Sequence, residues 1–189
     1  MSLIRSATAL DLAQLAEVED AADGIFEERF GPTGWPASDT GEDRAAEPGF
    51  ILVAGDPVLG FAHALDLDGH WHLDQLAVLP EHGRRGIGSA LLEAVHAEVM
   101  ARGGTEITLT TYADVPWNAP FYAAHGYAVL QPPLPPHLRS SVEAEEALGM
   151  ARHGHRVAMR ARLDRGGSQR APAEAKTTSG QGEDAIHLR

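Results

Sequence analysis

Apolar residues recur along this chain in two rhythms, one helical and one of strict alternation, and their order predicts a mixed α/β protein. Leu3-Ile4-Arg5 reads as a short first strand. Thr8 precedes Asp11 by the spacing of a capping box, and Leu12, Leu15, Val18 and Ala22 then keep helical spacing, with Asp11, Gln14, Glu17 and Asp20 on the wet face. From Asp23 to Gly49 the pattern dissolves, with Phe26, Phe30 and Trp35 set among Gly, Pro and acids. That stretch predicts a short second helix and then a long loop, and long loops inside compact domains tend to be functional or disordered.

Alternation returns in 50–54 and 58–65, two strands joined at Gly55-Asp56-Pro57, and a third long strand runs from Trp71 to Leu79 before Pro80. A helix with Leu92, Val95 and Val99 on one stripe follows, closed by Arg102-Gly103-Gly104. The β-branched run from Thr105 to Thr111 is a strand, Ala119 to His125 a short helix ended by Gly126, and Tyr127 to Gln131 a strand. The prolines of 132–136 exclude regular structure, Leu138 to Met150 is acidic, alanine-rich and helical in character, and Arg156 to Leu163 alternates apolar with basic residues as an edge strand does. Residues 164–189 contain no aromatic side chain and read as a disordered tail after a single domain spanning 1–163.

Composition narrows the function. The 189 residues are 43% hydrophobic and carry a formal charge of −12, which argues against nucleic-acid binding and suits a cationic small molecule or a lysine-bearing peptide. No run approaches the roughly 20 apolar residues of a membrane span, and no signal-peptide core follows Met1, so a cytoplasmic location is expected. The absence of cysteine removes disulfides, thiolate metal sites and a cysteine nucleophile. The histidines are scattered; His70 and His72 form an H-x-H pair on one strand face, a pattern more often structural than metal-binding, and no metal site is expected.

The most informative stretch joins the third long strand to its helix: Gly83-Arg84-Arg85-Gly86-Ile87-Gly88-Ser89. Free N–H groups at a helix start, the positive end of the helix dipole and two guanidiniums make a phosphate site, while Gly86 and Gly88 let an anion approach the main chain. It is neither a Walker loop nor the dinucleotide fingerprint. The alternative is an ordinary strand-to-helix turn with solvated arginines.

Together with Asn118-Ala119-Pro120-Phe121-Tyr122-Ala123-Ala124-His125-Gly126-Tyr127, this turn resembles the GCN5-related N-acetyltransferase superfamily, in element order over about residues 3–163 and in motif over 72–127. The resemblance implies a mixed six- or seven-stranded sheet that splays between its fourth strand, here Trp71 to Leu79, and its fifth, here Thr105 to Thr111. It implies acetyl-CoA as co-substrate, with the pyrophosphate on the turn 83–89 and pantetheine hydrogen bonds at Ala77 and Val78. Gly83 departs from the family's glutamine or arginine, and Arg84 is placed to substitute. Tyr122 matches the residue that protonates the departing thiolate, its alternative being a packed core tyrosine, and Asn118 matches a CoA-contacting asparagine, its alternative being an N-cap.

For the general base the resemblance points to His72, with Asp74 two residues on along the same strand face; both could equally be rim residues. The acceptor, an amine of a small molecule or peptide, is expected against the 23–49 region, with Phe26, Phe30 and Trp35 giving apolar contact and Glu27, Glu28, Asp39, Glu42 and Asp43 negative field. Without cysteine, direct transfer in a ternary complex is the simplest mechanism. A non-catalytic acetyl-CoA-binding domain and a plain interaction module remain the rival readings, and a homodimer is left open.

Overall fold

Asp11 locks the start of the first helix. In the computed structural model, which describes residues 3–163, its Oδ2 accepts from the Thr8 N–H at 2.7 Å and from the Thr8 hydroxyl at 2.6 Å. The Arg5 guanidinium grips both carboxylate oxygens at 2.6 and 2.8 Å. Arg5 and Thr8 together hold this buried carboxyl well below the usual carboxylate range. Strand β1 (Ile4–Ser6) is thereby tied to helix α1 (Ala9–Phe30).

Helix α1 runs well past the point where the sequence pattern fades. Phe26 and Phe30 stand one turn apart on it, and Ile25 and Phe26 pack with Tyr112, Val115 and Trp117 in a buried cluster. This tertiary packing offsets the helix cost of Gly24, about 1 kcal/mol, and the helix ends only where Gly31 takes φ 77°. The order expected here, a short helix and then a long loop, is reversed: a ten-residue connection comes first and α2 (Gly41–Ala46) follows it.

The remaining elements are β2 (Gly49–Ala54), β3 (Gly60–Leu67), β4 (His70–Val78), a 3₁₀ turn at Pro80–His82, α3 (Ile87–Ala101), β5 (Glu106–Tyr112), α4 (Ala119–Ala124), β6 (Tyr127–Val129), α5 (Pro136–Ala147) and β7 (Arg156–Arg162). They form one seven-stranded mixed sheet in the order β1-β2-β3-β4-β5-β7-β6, antiparallel throughout except between β4 and β5. On one face Leu91, Leu92, Val95 and Val99 of α3 bury completely against Leu73, Leu76, Ile107, Leu109 and Met159. Each such side chain contributes about 1.5–3 kcal/mol of burial, so Leu92→Ala is expected to cost about 2–5 kcal/mol. On the other face Leu15, Val18 and Ala22 of α1 pack on Ile51, Val53, Phe61 and Ala77.

Strand β7 is not the edge its sequence suggests. It lies between β5 and β6, with Met159 and Ala161 in the core. On its basic face Arg156 pairs with Glu145 at 2.7 Å and Arg160 with Glu106 at 3.5 Å, while Arg162 is exposed. The tail 164–189 lies outside the described residues. Among those described, no helix is long and apolar enough to cross a membrane.

Candidate active site

Strands β4 and β5 share a parallel ladder only at Trp71–Ile107 and His72–Thr108. Beyond His72 they diverge, and the edge of β4 facing β5 has no strand partner. The Leu79 N–H donates to Leu59 at 2.9 Å, and Val78 sits opposite Gly60. Ladder alternation therefore turns the peptide groups of Val78 toward the opening and those of Ala77 toward β3. Of the two residues expected to offer backbone bonds to a pantetheine arm, Val78 faces the right way and Ala77 does not.

At the far end of this opening lies a cavity of about 490 Å³, lined by Val78, His82, Gly83, Arg84, Gly86, Ile87, Gly88 and Ser89 on one side and by Pro116, Trp117, Pro120 and Phe121 on the other. Gly86 is the N-cap of the 15-residue α3, at φ 78° and ψ 7°, and Arg84 is also left-handed at φ 56°. Non-glycine residues seldom adopt that conformation, which costs about 1–2 kcal/mol. Two left-handed residues bend the chain so that successive N–H groups face a concavity. A Cβ built on Gly86 would meet no atom within 4 Å, so the space in front of the turn is open. Exposed Arg85 is not among the lining residues.

Asn118 and Tyr122 lie beside this cavity, one turn apart on α4. Both are fully buried, and both amide atoms of Asn118 and the Tyr122 hydroxyl lack a hydrogen-bond partner, as does the buried Thr111 hydroxyl on β5. Asn118 occupies the N-cap position, yet its side chain caps nothing. Buried orphans of this kind cost about 1–3 kcal/mol each and call for an explanation. Burial pushes the Tyr122 phenol well above its ordinary pKa, so it is a proton donor at neutral pH. Its ring meets Phe121 and Tyr127 edge to face.

A second cavity, of about 480 Å³, opens on the α1 face of the splay. It is bounded by Glu19, by Pro36, Ala37 and Asp39 before α2, by Arg44, by His72, Asp74 and Gln75 of β4, by Thr110, and by α5 with Met150. A β-bulge creates its floor: His63 pairs with Gln75 but Ala64 with Leu73, leaving Asp74 as the extra residue. The core-facing residues of β4 are accordingly Leu73 and then Leu76, and the polar pair Asp74-Gln75 falls on the α1 side.

That polar floor is tightly bonded. Buried Arg44 donates to Glu19 at 2.6 Å and to Asp74 at 3.0 Å, with Asp39 at 3.8 Å. Gln75 donates to Glu19 at 2.8 Å, and His63 Nδ1 lies 3.2 Å from Asp74. Burial alone would raise the Asp74 carboxyl, but the His63 and Arg44 contacts outweigh it and hold the group below its ordinary value. On the opposite wall Glu145 receives Arg156 at 2.7 and 3.1 Å and the Thr110 hydroxyl.

His72 sits where β4 and β5 part, 3% exposed. Its Nδ1 is 3.0 Å from the Thr108 hydroxyl oxygen, and that hydroxyl spends its one proton on the Trp71 carbonyl at 3.1 Å. Nδ1 must then carry the hydrogen, which leaves Nε2 as the basic lone pair. Burial lowers the pKa of His72, so the ring is neutral near pH 7.

The expected aromatic contribution to this cavity is absent. Phe26, Phe30 and Trp35 stack with Tyr112, Trp117 and His153 instead, because a hydrophobic cluster at the end of α1 buries more of them than a cavity wall could. Of the five acids expected from 23–49, only Asp39 lines it. Sequence reasoning missed Glu19, Arg44, Gln75 and Glu145, which converge from separate elements with no common spacing. A signal did exist for the bulge, since adjacent polar Asp74-Gln75 interrupts the alternation of β4.

A splayed mixed sheet with a left-handed glycine turn at its mouth and a polar chamber on its α1 face defines an α/β domain with two cavities of ligand size. The sequence pattern described as the acetyltransferase (GNAT) family matches residues 15–127, and the chain belongs to that family. Among solved structures it is similar to N-acetylglutamate synthase from Neisseria gonorrhoeae, determined with coenzyme A and N-acetyl-glutamate, at 18% identity and TM-score 0.64. The match covers 87% of this chain but only 36% of that one, so this chain spans about a third of that protein. It is also similar to aminoglycoside 6'-acetyltransferase type Ii, at 20% identity and TM-score 0.59 over 86% of this chain and 97% of that one. The ribosomal-protein-S18-alanine N-acetyltransferase from Escherichia coli matches at 22% identity and TM-score 0.57, over 90% and 99%. At these identities the likeness is one of fold.

Proposed function

We propose that the chain is an N-acetyltransferase that moves the acetyl group of acetyl-CoA directly onto the amine of a small molecule or peptide. The observation that carries this reading is the pair of cavities along β4, an open anion cradle at Gly86 and an acidic chamber at His72. Acetyl-CoA supplies the activated acyl thioester. The main chain of 83–89 with Arg84 holds its diphosphate, the free edge of β4 at Val78 holds its arm, and Asn118 offers its unpaired amide.

His72 Nε2 takes one proton from the bound ammonium, giving a neutral amine whose nitrogen attacks the thioester carbonyl. As the N–C bond forms and the C–S bond breaks, Tyr122 gives its phenolic proton to the departing sulfur. The second nitrogen proton restores the phenol, His72 returns its proton to water, and one proton is released per amide formed. Asp74 fixes the charge at the chamber floor through Arg44 and His63.

A panel of primary amines tests this, with free CoA and acetylated product measured together. Equal amounts of both with wild-type protein, and acetyl-CoA binding without product when His72 becomes Ala, are expected. Tight acetyl-CoA binding with no product from any amine would favour a CoA-binding domain without catalysis.

A further inference from the structure

The acceptor chamber carries more negative charge than its own cations neutralise. Glu19, Asp39, Asp74 and Glu145 bound it, whereas Arg44 is bonded to Glu19 and Asp74, and Arg156 to Glu145. Two negative charges remain in excess on these six residues. An acidic cluster alone means little, but this one surrounds a buried imidazole whose Nδ1 is committed to Thr108, leaving its basic nitrogen for the chamber. One positive charge of an acceptor is consumed at His72. The other has its counter-charge at the rim, where Asp39 is 74% exposed and only 3.8 Å from Arg44.

We infer that the acceptor is a small aliphatic amine bearing a second cationic group, a diamine or polyamine, and that Asp39 selects for that second charge. The inference rests on the acetyl-transfer reading above. Met150, Leu148 and Pro36 supply an apolar stretch suited to a methylene spacer. An α-amino acid fits badly, because its carboxylate would enter an acidic chamber whose Arg44 is already engaged by two carboxylates. A protein substrate fits less well than a small molecule, because α5 and the segment before α2 both wall the chamber.

Three acceptors that differ only at the far end isolate this charge: 1,4-diaminobutane, butylamine and 4-aminobutanoate. With saturating acetyl-CoA, kcat/KM is expected to fall by roughly tenfold from the diamine to the monoamine and again to the amino acid. Asp39→Lys, a change at an exposed side chain, should bring the diamine within about threefold of the monoamine. Parallel calorimetry on the CoA-saturated protein separates the two readings. If the diamine binds preferentially but no amine is acetylated, the charge preference stands and the transferase reading fails. Equal kcat/KM for diamine and monoamine, a preference for 4-aminobutanoate, or a lysine-rich peptide outperforming the diamine would overturn the inference.

Discussion

Tyr122 is a side chain that the fold tolerates at a cost. Its hydroxyl is buried without a partner, so Tyr122→Phe should leave the ligand-free protein as stable or raise its stability by about 1–3 kcal/mol. If that hydroxyl protonates the leaving sulfur, the same change should lower kcat about 10²–10⁴-fold with acetyl-CoA affinity nearly kept. Thermal denaturation and single-turnover kinetics read the two effects, and a packing tyrosine would show the first without the second. His72 makes a second prediction. Because burial lowers its pKa, the acid limb of kcat/KM should inflect below 6.5, the ordinary histidine value, and should vanish in His72→Ala at whatever rate survives. An inflection at or above 6.5 would assign the limb to another group. In the sequence both residues stand out only through the family resemblance, Tyr122 by its spacing to Gly126-Tyr127 and His72 by its place before Val78, and these measurements test the roles it implies. Arg44 and Glu19 do not stand out, because each stands in a helix pattern as an ordinary charged residue and only the topology brings them to β4.

Elements meet through buried polar contacts that make the fold sensitive to pH. On α3, His96 Nε2 lies 3.0 Å from the Tyr127 hydroxyl of β6, and burial, with a smaller effect of His125, pushes the His96 pKa down to about 4. An unfolded chain binds that proton near pH 6.5, so the contribution of a neutral His96 is present above 6.5 and is lost as pH falls toward 4. Denaturation midpoints between pH 7 and 4.5 should therefore fall less steeply in His96→Gln than in wild type; parallel slopes would show that the ring titrates normally. The bond from Arg44 of α2 to Glu19 of α1 and Asp74 of β4 ties three elements together. Arg44→Met leaves two carboxylates without their cation and is expected to cost about 3–5 kcal/mol by denaturant unfolding. Most elements were predictable from periodicity, since α3, β4 and β5 carry strong patterns. Two were misjudged for physical reasons: α1 continues because Phe26 finds an aromatic cluster, and β7 is internal because β6 pairs with its second edge. Neither partner is a neighbour in sequence.

For the whole molecule, the sheet holds its two cavities in a fixed relation, both reached from β4 as it leaves β5. The glycine turn beside one of them was the clearest signal in the sequence, because Gly86 takes the left-handed conformation that favours glycine. The second cavity was the faintest, assembled from five separated segments and a bulge. Binding of the acetyl-CoA diphosphate at the Gly86 turn, as proposed, is measured by paired substitutions. Asn and Asp both tolerate the left-handed conformation and have the same size, so Gly86→Asn and Gly86→Asp differ essentially by one negative charge in the cradle. Titration calorimetry should give acetyl-CoA binding to Gly86→Asp at least about tenfold weaker than to Gly86→Asn, with similar melting temperatures for the two proteins without ligand. Equal affinities in the two variants would place the diphosphate elsewhere and contradict the account.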